Sequence, residues 1–429
     1  MPGVRERRLL VSPTGPNILR RRELRSLAAA LLAVVAGSLP VFLTASLAGQ
    51  IEHNFVFGAE LLGLSVALFH LTGVVVSPLT ARLLQRTGVS GALRLSAVLA
   101  GSVSLSIAIF ASSATQLSCL LMVAGVSNGV AGPAASVLLR QTVAARRHGL
   151  AFGTQQAGAP AAILLAGLAV PLVAVPLGWR WAFLGAGGIA AAATLAVPTL
   201  PRQRTRPLTT GAPRRRSEWS VLALLVIAAA AASSVGVAMV SFLVVCATGA
   251  GLSASAAGLL LGAVSLAAMI GRITFGLRVD HGRSEPLSTA FSLMIACTIG
   301  VTLLVANTPI SIVLGALIIG GLGWTWHGVL MFAIVQHTRD APVWAVGMLM
   351  SGVFVGAILG PLLVGTISTA ASFQTAWVTC AALSLIPLVA VALARRQSTC
   401  RPDPHAAPGS SSRKRNAARA VVVPRSARP

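Results

Sequence analysis

The chain has 429 residues, 55% of them hydrophobic and only 10% charged, with 33 Lys and Arg against 9 Asp and Glu. A soluble globular protein carries about 25% charge, so this composition and a mean hydropathy of +0.84 exclude a water-soluble enzyme and a disordered chain. The net charge of +24 would suit a phosphate-binding surface, but the cations avoid the apolar runs and fall between them, which excludes an ordinary nucleic-acid binder.

A bilayer crossing takes about 20 mostly apolar residues, and long apolar runs broken by Arg, Pro and polar clusters predict twelve of them. A basic tail, 1–25, leads into the first, about 26–50. That run ends in Ser46-Leu47-Ala48, like a cleavable leader, but exceeds the roughly 7–15 apolar residues of one, so it is kept as a crossing. Five more are expected at about 59–81, 92–112, 115–138, 150–175 and 179–198. A polar linker, 199–218, carries Arg202, Arg204, Arg206, Arg214, Arg215 and Arg216. The second six are expected at about 219–247, 254–276, 286–307, 309–334, 343–369 and 372–394. The tail 395–429 is rich in Arg, Pro, Ala and Ser and reads as disordered.

With twelve crossings and both tails on one side, 32 of the 33 cations face that side and only Arg180 faces the other. Positive residues stay inside, so both termini and the linker are expected in the cytoplasm of a bacterial cell. The basic tails suit anionic headgroups or simply hold this orientation. The cysteines, Cys119, Cys246, Cys297, Cys380 and Cys400, include no Cys-x-x-Cys pair and read as small hydrophobes rather than a disulfide or zinc framework.

The two halves, 26–198 and 219–394, repeat one another. Ala81 pairs with Gly276 at an offset of 195, Gly125 with Gly321 at 196, and Gly153-x-x-x-x-Gly158 with Gly347-x-x-x-x-Gly352 at 194. Parallel repeats of this kind build transporters with a site near the midplane between the halves. The expected fold is therefore all-α and integral to the membrane: twelve helices in two six-helix pseudo-repeats around a central cavity.

Gly271-Arg272-x-x-x-Gly276-x-x-x-Asp280, Arg86-x-Gly88 and Gly178-Trp179-Arg180-Trp181-Ala182-Phe183 carry a resemblance to the major facilitator superfamily of secondary transporters, over about residues 26–394. Ala157-Gly158-Ala159-Pro160 and Gly360-Pro361 are similar to its cyanate and nitrate/nitrite porter-like branch. The resemblance implies alternating access, and it implies gating roles for Arg86, Gly88, Arg272, Gly276, Asp280 and Arg283. Asp280 is expected to pair with Arg272 or to cap a helix N-terminus, as a latch that breaks when the halves rock. The sequence departs from the family pattern where Ala81 and Gln85 stand for Gly and Asp, and where one residue is missing before Arg283. It also lacks the fourth-span Arg of proton-coupled members, and no Arg is read at mid-span.

Polar residues inside a membrane are costly and are candidate functional groups. His70 falls near the middle of the second crossing, as a proton carrier, a substrate donor or a packed neutral imidazole. Asn128 lies in the fourth among Gly125, Gly129, Gly132 and Pro133. Gln155 and Gln156 open the fifth; being about 100° apart on a helix, one of them is expected to face a cavity. In the tenth, Trp324 and His327 share a face at i, i+3, while Trp326 is expected to point to lipid. Indole beside imidazole suits a small organic or delocalised solute.

No phosphate loop, paired-His metal spacing or catalytic constellation is visible, so neither an enzyme nor a cofactor is expected. The function read from the sequence is a monomeric secondary transporter of a small organic or anionic metabolite, with proton coupling left open. A drug or metabolite exporter is the alternative within transporters. A receptor or sensor is the alternative outside them, and neither tail is long enough to fold as an output domain.

Overall fold

The computed structural model describes residues 16–144, 147–201, 216–280, 285–337 and 342–399, and every regular element among them is helical. Hydrocarbon offers no water to backbone N–H and C=O groups, and a helix satisfies its own. In chain order the helices are α1 (Pro16–Ser46), the short α2 (Ala48–Glu52), α3 (Ala59–Val76), α4 (Thr80–Phe110), α5 (Ala114–Thr142), α6 (His148–Gln156), α7 (Gly158–Ala169), the single turn α8 (Val175–Leu177) and α9 (Trp179–Ala196). After the linker come α10 (Arg216–Gly249), α11 (Ala254–Asp280), α12 (Pro286–Val305), α13 (Pro309–Ile318), α14 (Trp326–His337), α15 (Pro342–Ala370), α16 (Phe373–Leu383) and α17 (Leu385–Thr399).

Ten segments among the described residues are long and apolar enough to cross a membrane. One of them, Ala59–Phe110, has 52 residues. At 1.5 Å per residue a straight helix of that length would run to about 78 Å, more than twice the hydrocarbon thickness. Gly88 breaks it, at φ 72° and ψ 172°, a backbone that only glycine adopts without strain. The expected second and third crossings lie on either side of that break. The expected sixth is the 18-residue α9, whose Trp-Arg-Trp opening lowers its apolarity. Arg180 there is tolerated because it donates to the Ala111 carbonyl at 2.7 Å and lies over the Trp179 ring.

Helices α3 and α4 pack on α5, and α1 packs on α5, α7 and α9. In the second group α10 packs on α15 and α17, and α12 on α13 and α14. The two most extensive seams between the groups set α3 against α15 and α7 against α11, and α1 also touches α10. Close backbone approach makes the first seam, where a Cβ at Gly63 would collide with the Pro361 carbonyl.

The buried core is divided unevenly. At the end far from the termini, one continuous cluster draws on both groups, from Leu43, Ile51 and Phe57 to Val240, Phe242 and Trp377. At the end that carries the termini each group has its own cluster. One holds Ala29, Leu93, Leu138 and Val197; the other holds Leu225, Leu293, Leu330 and Val391. The shared cluster thus lies at the far end and the separate ones at the termini end.

Candidate functional site

Prolines inside helices supply the first polar features. Proline has no N–H, so the carbonyl four residues earlier loses its helical partner. Pro133 frees the Gly129 carbonyl, and the Thr80 hydroxyl donates to it at 3.2 Å. Pro160 frees the Gln156 carbonyl, and the Arg272 guanidinium reaches across the α7–α11 seam to donate to it at 3.1 Å.

Arg272 is the group that the sequence reading placed only in a loop motif. It sits within α11 and is half-buried, with its Nε enclosed and without a hydrogen-bond partner. Its guanidinium lies 5.6 Å from the centre of the Trp324 ring, within cation–π range. No carboxylate pairs with it among the described residues. Its described contacts run across to α6 and to Trp324; the side chain of Asp280, its expected partner, lies outside the described residues. Taking a cation out of water is expensive unless a partner compensates it.

Trp324 and His327 do not follow one regular helix. After α13 the chain makes a π-helical turn, Ile319–Gly323, in which the Trp324 N–H donates to the Ile319 carbonyl at 2.7 Å, and α14 resumes at Trp326. A π-turn adds a residue and rotates the helix beyond it, so the simple i, i+3 face does not apply. The Trp324 indole lies flat on Gly236 of α10, where an added Cβ would sit 2.9 Å from its Nε1. His327 stacks on Trp326, with ring centres 5.3 Å apart and planes 12° apart. Trp326 therefore does not point to lipid: it is 1% exposed, in the core of the second group. Its Nε1 and the Nε2 of His327 are enclosed without partners.

The first group supplies the remaining candidates. Asn128 accepts from the Ser38 hydroxyl at 3.0 Å and lies beside Gly73, as a bridge between α1, α3 and α5. Gln155 is buried and donates to the Gly132 carbonyl at 2.8 Å and to the Ser136 hydroxyl at 2.9 Å, pinning α6 to α5. Of the glutamine pair it is Gln156 whose side chain is exposed. His70 is half-buried in α3, edge-on to Phe69 at 5.1 Å, with both ring nitrogens enclosed and unpartnered. An enclosed donor or acceptor left unmade costs about 1–3 kcal/mol.

Of the gating residues, Arg86 is exposed and stands two residues before the Gly88 break. Gly276 and Asp280 lie on the last turns of α11 with their side chains outside the described residues, and Arg283 lies outside them altogether. Among the described residues no group of three or more His, Cys, Asp or Glu is placed to hold a metal.

The profile of the Major Facilitator Superfamily matches residues 25–341. The chain belongs to the major facilitator superfamily. Solved structures of superfamily transporters share its fold. A bacterial homolog of the human lysosomal transporter Spinster, inward-facing and unoccupied, superposes with a TM-score of 0.70 at 15% identity, over 89% of this chain and 99% of the other. The same homolog in an inward-facing, occupied conformation gives 0.66 at 16%, over 92% and 99%. A mutant of the nucleoside transporter NupG gives 0.67 at 13%, over 88% and 99%. No curated relative matches the chain. The superfamily assignment makes the chain a multi-pass membrane protein of the secondary-transporter class, and neither comparison singles out the cyanate and nitrate/nitrite porter-like branch.

Proposed function

We propose that this chain carries a small organic anion across the bacterial cytoplasmic membrane by alternating access, as a monomer with both termini in the cytoplasm. One observation carries the substrate class: Arg272, an intramembrane cation with an enclosed, unpartnered Nε, beside the face of Trp324 and without a carboxylate partner among the described residues. A carboxylate on a flat organic body satisfies both groups. The charge meets the guanidinium fork, which suits planar anions, and the body lies along the indole. His327 offers a further donor on the same side of the bundle.

The divided core supports a state open toward the termini, as in the inward-facing structures of the Spinster homolog. Access from the opposite side needs the two seams to rock. The residues behind the porter-like resemblance serve packing: the Ser265 hydroxyl of α11 donates to the Pro160 carbonyl at the α7–α11 seam, and Gly360 of α15 abuts the Ser234 backbone of α10 within the second group.

The test uses purified protein in proteoliposomes with labelled benzoate as the probe. Saturable uptake that unlabelled benzoate and phenylacetate inhibit, and benzamide and benzylamine do not, is the expected result. Equal inhibition by the uncharged and the cationic analogues would overturn the anion assignment.

A further inference from the structure

The anion site leaves one cavity of the first group unused. A cleft of about 140 Å³ lies among the turn that joins α3 to α4, the stretch of α4 beyond the Gly88 break, and the middle of α5. Leu79 and Leu83 form one wall, Leu95 and Leu99 a second, and Val126 and Val130 a third. Its mouth is on the lipid side of the bundle. Leu79 and Leu95 are half exposed, and Val98, Leu105 and Ile109 continue the exposed face of α4 from Leu95.

The floor carries three hydroxyls, but their protons are already placed. Thr80 donates to the Gly129 carbonyl at 3.2 Å, and Ser96 and Ser127 donate to one another's backbone carbonyls at 3.0 and 2.8 Å. A hydroxyl has one proton to give. The cleft therefore offers hydrocarbon contact and suits an acyl chain better than a polar solute.

Cations stand just past its end nearer the termini. Leu79, Leu83 and Arg86 follow one another by about one turn each and share a face, which puts Arg86 about 10 Å beyond Leu79. Arg82 lies one turn after Leu79. Both arginines are exposed, and no ion pair among the described residues involves either. The neighbouring chain has no carboxylate to give them: from Leu61 to Ser217 there is neither Asp nor Glu. Glu52 and Glu60 belong to the far end, and Glu23 is held by Arg147. Arg94, the next cation on α4, already donates to the Val197 carbonyl and the Thr199 hydroxyl.

We infer that this cleft binds one anionic phospholipid, with an acyl chain between the two stretches of α4 and the phosphate on Arg82 and Arg86. A guanidinium fork matches phosphate oxygens. Helices α3, α4 and α5 all belong to the first group, so the cleft keeps its shape while the groups rock, and the lipid stays resident through the cycle. The orientation proposed above makes its source the cytoplasmic leaflet, where anionic lipid is concentrated; only the choice of leaflet rests on that reading.

The test uses phosphatidylglycerol with a photoactivatable diazirine in its acyl chain, at trace level in nanodiscs of phosphatidylcholine, with the labelled peptides mapped after irradiation. Labelling concentrated on 76–99 and 126–130, and displaced by unlabelled phosphatidylglycerol, is expected. It should fall about fivefold in Arg86→Gln and about twenty-fivefold with Arg82→Gln added. Leu95→Trp, which puts an indole in the mouth, should lower it, and Leu105→Trp, farther along the same face, should not. Labelling spread evenly around the bundle would overturn the inference, as would undiminished labelling in the double arginine variant. The same segments labelled equally by a phosphatidylcholine probe would also overturn it, and so would displacement by glycerol phosphate, which would make the site one for free phosphate. None of these measurements involves benzoate or Arg272, so they stand or fall apart from the anion assignment.

Discussion

Replacing Arg272 with glutamine sets two effects against each other, and the structure gives their relative size. In the unliganded protein Arg272 makes one hydrogen bond to the Gln156 carbonyl and lies over Trp324. Those contacts are worth about 1 kcal/mol and about 0.5–2 kcal/mol. Against them stands the desolvation of a charge whose Nε has no partner, several kcal/mol per ion. Glutamine keeps an N–H donor and loses the charge, so the melting temperature of the empty protein in detergent should stay level or rise. Binding should behave differently. Losing a charge-assisted contact costs about 1.5–3 kcal/mol, which weakens benzoate binding roughly ten- to hundredfold. Thermal melting and equilibrium binding on the same preparations separate the two effects. A variant that melts several degrees lower yet binds benzoate like the wild type would refute the reasoning and make Arg272 a brace between α6 and α11.

Trp324→Ala should weaken benzoate binding about three- to thirtyfold through lost cation–π and stacking contact, and Trp324→Phe should restore most of it in the same assay. Gln155→Leu removes the side-chain hydrogen bonds that tie α6 to α5, while the Ser136 hydroxyl keeps the Gly132 carbonyl as its acceptor; thermal melting should show a loss of about 1 kcal/mol with binding unchanged. Gly63→Val drives a side chain into the Pro361 carbonyl. Overpacking of about 1–3 kcal/mol falls mainly on the state with the seam closed at the far end, so distances between spin labels at Gln141 of α5 and Val335 of α14, read by pulsed electron resonance, should shift toward the far-open population. Thr210→Cys in intact cells should resist an impermeant thiol reagent added from outside, and labelling there would reverse the topology.

The all-helical membrane architecture was legible in the sequence because lipid leaves few choices: runs of about 20 apolar residues, broken where Arg and Gly cluster. Gly88 stood out in the sequence only as a motif residue; its left-handed backbone, which breaks the helix between the expected second and third crossings, was not read there. Side-chain direction was harder to read. Apolar periodicity is weak when both lipid and core are apolar, so Trp326 was expected in lipid and lies in the core. The π-turn at Ile319–Gly323 rotates α14 by an amount that composition does not reveal. Asn128 and Gln155 stood out as polar, but their partners, Ser38 and Ser136, come from other helices. Arg272 was hidden by its place in a loop motif. The signal that would have exposed it was Pro160, which frees a carbonyl at Gln156, together with the lack of acids in the middle of any crossing.

The uneven division of the core separates two kinds of sequence change. A side chain trimmed in a cluster private to one group, such as Leu225 or Leu138, is missed equally in every stage of the cycle, so the change alters how much protein survives in the membrane. A side chain trimmed in the shared cluster, such as Val240 or Leu43, is missed mainly while the far end is shut, so the change alters how long the carrier waits there. Drift in this lineage can therefore retune turnover at one end of the molecule and durability at the other, almost without trading one for the other.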